Sequence, residues 1–297
     1  MKHYMRVCAE INLDAVAYNF RNMKENLNPE TQMIAVVKTD GYGHGAVPIA
    51  QMVQEYPYVW GFATATIEEA LILRKEGVKK PILILGFVFP DSYEDVVRYD
   101  IRPAVFKLSM ARQLSEEAVR QQKIVHVHIK VDTGMSRIGF TDTTESADIV
   151  KEISELPNLE TEGLFTHFAR ADERDKTAAN EQLTRYQAFA KLLEDRQVPI
   201  KYHHCSNSAG IYDMKDANMD IVRAGISIYG MYPSDEINKM AAPLAPVMSL
   251  KSHIVFIKEL QPGAAISYGG TYVVDHPMKV ATIPVGYGDG YPRALSG

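Results

Sequence analysis

Eight short apolar runs recur along the chain, near residues 33–37, 58–63, 82–85, 102–105, 126–131, 162–166, 200–204 and 219–222. Charged segments of helical period separate them, at about 45–55, 66–76, 91–98, 108–122, 143–156 and 177–196, with only a brief helix near 208–213 before the last run. Strands of a parallel sheet read as continuous apolar stretches because helices cover the sheet. This alternation therefore predicts an α/β chain folded as a (β/α)8 TIM-type barrel. Ahead of it, residues 6–11 alternate as a strand. Val16, Phe20, Met23 and Leu27 mark the buried face of a helix over about 13–27, with Asn12 as its N-cap candidate.

The rhythm stops after residues 226–233. Pro233, Pro243 and Pro246 punctuate a loop-like segment over 234–247. Alternating strands are then predicted at 248–260, 264–268, 271–274 and 279–285, joined by Gln-Pro-Gly and Gly-Gly turns. The expected organisation is a barrel over 1–233 followed by a partial, mostly β C-terminal domain over 234–297, with residues 1–11 pairing with the β domain. Few strands are written before the chain ends, so the second domain reads as incomplete.

With 297 residues and 46% hydrophobic content, the chain can bury a large core. Its formal charge is −5 and no basic tract stands out, which argues against nucleic acid or an acidic membrane surface as partner. No run approaches the roughly 18 apolar residues of a membrane span. Cys8 and Cys205 make neither a disulfide framework nor a metal spacing, and no metal is expected. No signal-peptide pattern opens the chain. These features predict a cytoplasmic protein.

In such a barrel the functional groups gather at the carboxyl ends of the strands. Strand one ends at Lys38, before the glycine-rich run Thr-Asp-Gly-Tyr-Gly-His-Gly. A strand-end lysine is most often a solvated cap, but facing such a loop it is also a candidate Schiff-base lysine. Strand five leads into Asp132-Thr133-Gly134-Met135-Ser136-Arg137, strand six into His167, strand seven into Ser206-Asn207-Ser208, and strand eight into Arg223-Ala224-Gly225-Ile226. The last two loops are where barrels often bind phosphate. Ser208 offers a hydroxyl, Gly225 and Ile226 offer backbone N–H groups, and Tyr42 adds a hydroxyl from the first loop. Helix-capping serines in an ordinary turn would read the same way. A phosphate site together with a strand-end lysine and arginine points to pyridoxal 5′-phosphate. On strand five, His126, His128 and Lys130 share one face, either solvated or part of a polar barrel layer. A lysine inside a barrel needs an anion, a depressed pKa or a modification. His203 and His204 are strand neighbours pointing to opposite faces, which argues against a shared metal. Asp289 reads as a turn aspartate and Tyr268 as an aromatic at a hairpin end.

The blocks Val-Val-Lys-Thr-Asp-Gly-Tyr-Gly-His-Gly (36–45), Lys-Val-Asp-Thr-Gly-Met-Ser-Arg-Ile-Gly (130–139), Thr-His-Phe-Ala (166–169), Asn-Ser-Ala (207–209), Val-Arg-Ala-Gly-Ile-Ser-Ile-Tyr-Gly (222–230), Ile-Ser-Tyr-Gly (266–269) and Gly-Tyr-Gly-Asp-Gly (286–290) resemble bacterial alanine racemase, in order over nearly the whole chain. The resemblance implies an isomerase that uses pyridoxal 5′-phosphate to interconvert L- and D-alanine, supplying D-alanine for peptidoglycan, and that acts as a homodimer with shared active sites. It implies that Lys38 carries the cofactor as an imine and is one catalytic base. Tyr268, from the partner subunit, is the other. Arg223 faces the pyridine nitrogen, Arg137 contacts the cofactor oxygen and the substrate carboxylate, and His167 links Tyr268 to Arg223. Tyr42, Ser208, Gly225 and Ile226 hold the phosphate. Lys130 resembles a lysine that is carbamylated in many members, and Tyr287 a residue at the substrate entrance.

Two departures stand out. Ser136 takes the place of a usual glycine and adds a side chain beside Arg137. The family also continues beyond residue 297, through a Cys-Met-Asp block and a further phosphate-binding tyrosine, so the sequence reads either as a fragment of a longer protein or as a truncated one that turns over poorly. The alternatives are a serine or broad-specificity amino-acid racemase, and a truncated non-catalytic pyridoxal-phosphate-binding protein.

Overall fold

The computed structural model describes residues 5–295. The start of the first segment, residues 1–4, and the last two residues of the second domain lie outside them. The chain divides into two compact units, one over Leu13–Val247 and one made of the N-terminal segment to Asn12 with the chain from Met248 onward.

The larger unit is the barrel. Its strands are β2 (Gln32–Val36), β3 (Val59–Thr64), β4 (Ile82–Ile84), β5 (Arg102–Val105), β6 (Val125–Asp132), β8 (Leu159–Phe165), β9 (Tyr202–His204) and β10 (Ile221–Ala224). A two-residue strand, β7 (Phe140–Thr141), pairs with β6 alone. The parallel ladder runs β10-β2-β3-β4-β5-β6-β8-β9. Arg223 N–H donates to the Ser206 carbonyl at 2.9 Å and bridges the remaining gap beside β9. The expected (β/α)8 architecture is therefore observed, with helices between the strands where the charged segments lie. The last strand begins at Ile221 rather than 219, so Arg223 sits within it.

One apolar cluster of the barrel core is built by Ile34, Val36, Trp60, Ala63, Leu83 and Ile221. Each of the Ile, Val and Leu side chains contributes roughly 1.5–3 kcal/mol when buried. Next to this cluster lie His128, Lys130, His204 and Arg223, all buried, with the Trp60 and His128 rings 5.4 Å apart. Strand five thus contributes to a polar layer inside the barrel, and its polar groups must find partners there or cost stability. His204 joins that layer, whereas His203 turns out to the Tyr186 hydroxyl, 2.9 Å away. Segment 234–247 groups with the barrel unit. Asn19 accounts for part of this, accepting from Ala245 N–H at 2.7 Å and donating to the Ala245 carbonyl at 2.9 Å. Among the described residues, no helix is long and apolar enough to cross a membrane.

The smaller unit is mostly β. β1 (Val7–Ile11) pairs antiparallel with β11 (Met248–Ser252), and β12 (Phe256–Leu260) with β15 (Met278–Thr282). β13 (Ala265–Ile266) and β14 (Tyr272–Val273) form a short hairpin. The single strand expected over 248–260 is thus two strands. They take different partners, so the chain breaks at 253–255 to pass from one ladder to the other. Asp289 serves its turn by accepting from Gly286 N–H at 3.1 Å, and it also pairs with Arg6 through two bonds of 3.0 and 2.5 Å.

Candidate active site

The carboxyl ends of the barrel strands open onto a cavity of about 600 Å³. Lys38, Lys130, Arg137, His167 and Arg223 all line it, as do Tyr42, Ser208, Gly225 and Ile226. Two lysines and two arginines are among these, against one lining carboxylate, Asp172. A cavity with that balance favours an anionic ligand.

Lys38 lies two residues past the end of β2 and opens a turn of unusual hand. Thr39, Asp40, Gly41 and Tyr42 have φ of 54, 50, 61 and 53°, all in the left-handed region. Three of them are not glycine, and each pays about 1–2 kcal/mol for that conformation. The surroundings hold the turn in place. Thr39 N–H donates to Glu69 Oε1 at 2.7 Å, and Asp40 Oδ1 accepts from Ala46 N–H at 2.8 Å. Strain of this kind concentrates where a side chain must be aimed. The turn brings the Tyr42 ring to 5.6 Å from Lys38 Nζ. Tyr229, which the sequence reading passed over, backs the Tyr42 ring at 5.1 Å and donates to the Val36 carbonyl at 3.0 Å.

Tyr42, Ser208 and Gly225 converge. A methyl group added at Gly225 would lie 3.5 Å from the Tyr42 hydroxyl and 3.6 Å from Ser208 Oγ, so the missing side chain leaves room among them. Gly225 N–H donates to Ser208 Oγ at 2.9 Å. The serine hydroxyl keeps its own hydrogen for a further acceptor.

Arg137 is set by a residue outside the expected site. Asp132 accepts from the N–H groups of Gly134, Ser136 and Arg137 at 2.9, 3.0 and 3.0 Å. Burial pushes the Asp132 carboxyl up, but these donors and Lys130 outweigh it and hold it below its ordinary value. The Asp-x-Gly spacing was the available signal, since aspartate commonly folds back on the N–H two residues on. Ser136 in this loop has φ 55°. A glycine would adopt that conformation freely, whereas serine costs roughly 1 kcal/mol.

Arg223 is fully embedded. NH1 donates to His204 Nδ1 and to the His204 carbonyl, both at 2.8 Å; NH2 donates to the carbonyls of Thr166 and Cys205 at 2.7 and 2.8 Å. These bonds use both hydrogens on each terminal nitrogen and leave Nε–H. His167 Nδ1 lies 3.4 Å from NH2, a long contact with a group already engaged. Burial, then the charges of Arg223, Lys130, Arg137 and Lys38, pull the His167 imidazole down to about 3, so it is neutral.

Lys130 is 2% exposed; its Nζ donates to the Val131 carbonyl at 2.9 Å and lies 5.3 Å from the Phe165 ring centroid. Burial, then Arg223 and Arg137, pull its amine from the ordinary 10.5 to about 7, with Asp132 opposing. The unfolded chain therefore holds this proton more tightly, and stability should rise with pH between about 7 and 10.5. Lys130→Met should flatten that slope, as read by urea unfolding in CO2-free buffer. Equal slopes in the two proteins would contradict the assignment.

Tyr268 and Tyr287 belong to the smaller unit, where they are 97% and 76% exposed. Tyr268 stands at the tip between β13 and β14, flanked by positive φ at Ser267, Gly269 and Gly270. Ser267 is the strained member, with φ 62°. Among the described residues, no group of three or more His, Cys, Asp or Glu is placed to hold a metal.

Family models for the alanine racemase N-terminal and C-terminal domains match residues 11–233 and 247–297. An alanine racemase of Clostridium tetani is 44% identical over 295 residues, covering 99% of this chain and 76% of that protein. The solved alanine racemase of Clostridium difficile 630 superposes with a TM-score of 0.94 at 39% identity, over 98% of this chain and 76% of that one. A structure described as histidine racemase, from Leuconostoc mesenteroides, gives a TM-score of 0.86 at 29% identity, over 98% and 77% of the two chains.

Proposed function

Because the chain belongs to the alanine racemase family, we propose that it interconverts L- and D-alanine with pyridoxal 5′-phosphate in the barrel cavity, using Lys38 and Tyr268 as its two bases. The carrying observation is the joint placement of Lys38, Arg137 and Arg223 with the Tyr42–Ser208–Gly225 cradle around one cavity.

The donor set fits that cofactor. Ser208 Oγ and the Tyr42 hydroxyl converge on the gap at Gly225, where a phosphate would accept from both. Arg223 keeps Nε–H for the pyridine nitrogen. Pyridoxal phosphate, when bound, supplies the electron sink that acidifies the substrate Cα–H.

The chain's own residues do the rest. Arg137, held by Asp132, orients the substrate carboxylate. Racemisation needs a base on each face of Cα. Lys38 serves one face from the end of β2. Tyr268 serves the other, and we assign it to the cavity of a partner subunit in a homodimer, its exposure on a strained tip suiting a group offered to another chain. A phenol is a poor base near neutrality, its ordinary pKa being about 10. His167 helps: neutral, with Nδ1 toward Arg223, it carries its hydrogen on Nε2 and donates it to the phenolate. Tyr287 lines the entrance. Lys130, with an amine near neutrality, is competent to take up CO2 as a carbamate, whose negative charge then pairs with Arg137. We place the reaction in the cytoplasm, where Cys8 and Cys205 remain free thiols.

The test is direct. The chain supplied with pyridoxal phosphate should bring the circular dichroism of L-alanine to zero. L-serine and L-histidine, run alongside, should change far more slowly. Equal rates would favour a broad-specificity racemase, and no change on any of the three would leave a cofactor-binding protein without turnover.

A further inference from the structure

The buried Arg223 has no carboxylate partner among the described residues; its terminal nitrogens bond to three carbonyls and the His204 imidazole, with the His167 imidazole at 3.4 Å. A cation 2% exposed needs compensation from somewhere. Its four terminal hydrogens are therefore all spent on acceptors, and the His204 imidazole among these acceptors begins a longer chain of bonds. An arginine only donates, so His204 Nδ1 accepts from NH1 at 2.8 Å. A neutral His204 then carries its hydrogen on Nε2, which lies 2.8 Å from His128 Nδ1. His128 Nδ1 must accept, so its own hydrogen is on Nε2, 3.2 Å from Glu162 Oε2. Glu162 also accepts from Arg102 Nε at 3.2 Å.

The backbone is shaped for this chain of bonds. The register between β6 and β8 passes from Val127↔Thr161 to His128↔Gly163, leaving Glu162 as the extra residue. Such an irregularity re-aims a side chain. A methyl group at Gly163 would lie 2.4 Å from His128 Nδ1, so only glycine clears the imidazole. Burial keeps both rings neutral, against the pull of Glu162 on His128 and helped at His204 by the Arg223 charge.

We propose that Glu162, itself ion-paired with Arg102, is a positioning residue for Arg223, acting through His128 and His204 along a one-way chain of hydrogen bonds that leaves Arg223 Nε–H for the cavity. The proposal rests on the racemase reading only for what that N–H then faces; the order of the hydrogens stands independently of it.

Histidine-selective 15N labelling of the full chain, with long-range 1H–15N NMR, reads that order. His128 and His204, assigned by their loss in His128→Gln and His204→Gln, should both be neutral Nε2–H tautomers across about pH 6–9. An Nδ1–H tautomer or a cation at either ring would overturn the proposal. Glu162→Gln keeps an acceptor and removes the charge. It should shift the Nε2–H resonances of both rings and weaken pyridoxal phosphate binding roughly tenfold. Glu160→Gln, at its exposed neighbour on β8, should do neither. Glu162→Gln leaving the His204 resonances unmoved would also overturn it. Should that variant not fold, Glu162→Asp, which keeps the charge and shortens the reach, is judged by the same two readouts. A chain with both tautomers as expected that bound no pyridoxal phosphate would instead sink the racemase reading.

Discussion

Replacing Lys38 with alanine is expected to abolish racemisation and the covalent attachment of pyridoxal phosphate together. Loss of a positioned base alone costs about 10²–10⁴-fold, and loss of the amine that anchors the cofactor adds to this. The attachment can be read without turnover. Borohydride reduction followed by peptide mass spectrometry should find the cofactor mass on Lys38 in the unaltered chain and on no lysine in the variant. Lys130 is the instructive rival, since it is buried in the same cavity with an amine near neutrality. Its Nζ is directed at the Val131 carbonyl and against the Phe165 ring, however, whereas Lys38 stands at the strand end beside the left-handed turn. Cofactor mass on the Lys130 peptide would show that the roles had been exchanged.

Tyr268→Phe is expected to give the second large loss, on the order of 10²–10⁴-fold, with a signature that separates the two bases. Enantiomers have equal free energies, so no substitution can slow one direction of racemisation alone; kcat/KM must fall alike for both. Exchange of the Cα hydrogen with solvent is not bound by that symmetry. With Tyr268 taken as the base that removes the Cα hydrogen of L-alanine and Lys38 as the one for D-alanine, in D2O the variant should still exchange D-alanine, while exchange of L-alanine falls in step with racemisation. Proton NMR of the alanine Cα–H follows both. Wild-type exchange rates for both enantiomers would remove Tyr268 from the mechanism.

Much of this molecule was legible in its sequence. The barrel could be read because parallel strands covered by helices leave runs too apolar to mistake, spaced by segments of helical period. The rim residues could be read because strand ends in such a barrel face one place. What could not be read depends on which segments meet. Nothing local in 248–260 announces a break at 253–255, which follows from β11 and β12 taking different partners. Glycines flank Tyr42, yet Thr39, Asp40 and Tyr42 share the left-handed turn, held by Glu69 and Ala46. The place of His128 and Lys130 inside the barrel was one of two readings. Their partners on β8, β9 and β10 were out of reach, because the hydrogen order at His128 is set by Glu162 and by an arginine 95 positions away. Ser136 looked like a small change of side chain; its cost lies in φ, which composition does not reveal.

The central claim is a two-base site completed by two chains, and subunit mixing tests it most directly. Lys38→Ala and Tyr268→Phe are each nearly inactive alone. Mixed, dissociated and allowed to reassociate, half of the dimers should be hybrids. In a shared-site dimer each hybrid has one site with both residues altered and one with both intact, so activity should recover to roughly a quarter of the unaltered level. Activity that stays at the sum of the two parents, with hybrid dimers present by native mass spectrometry, would contradict the account.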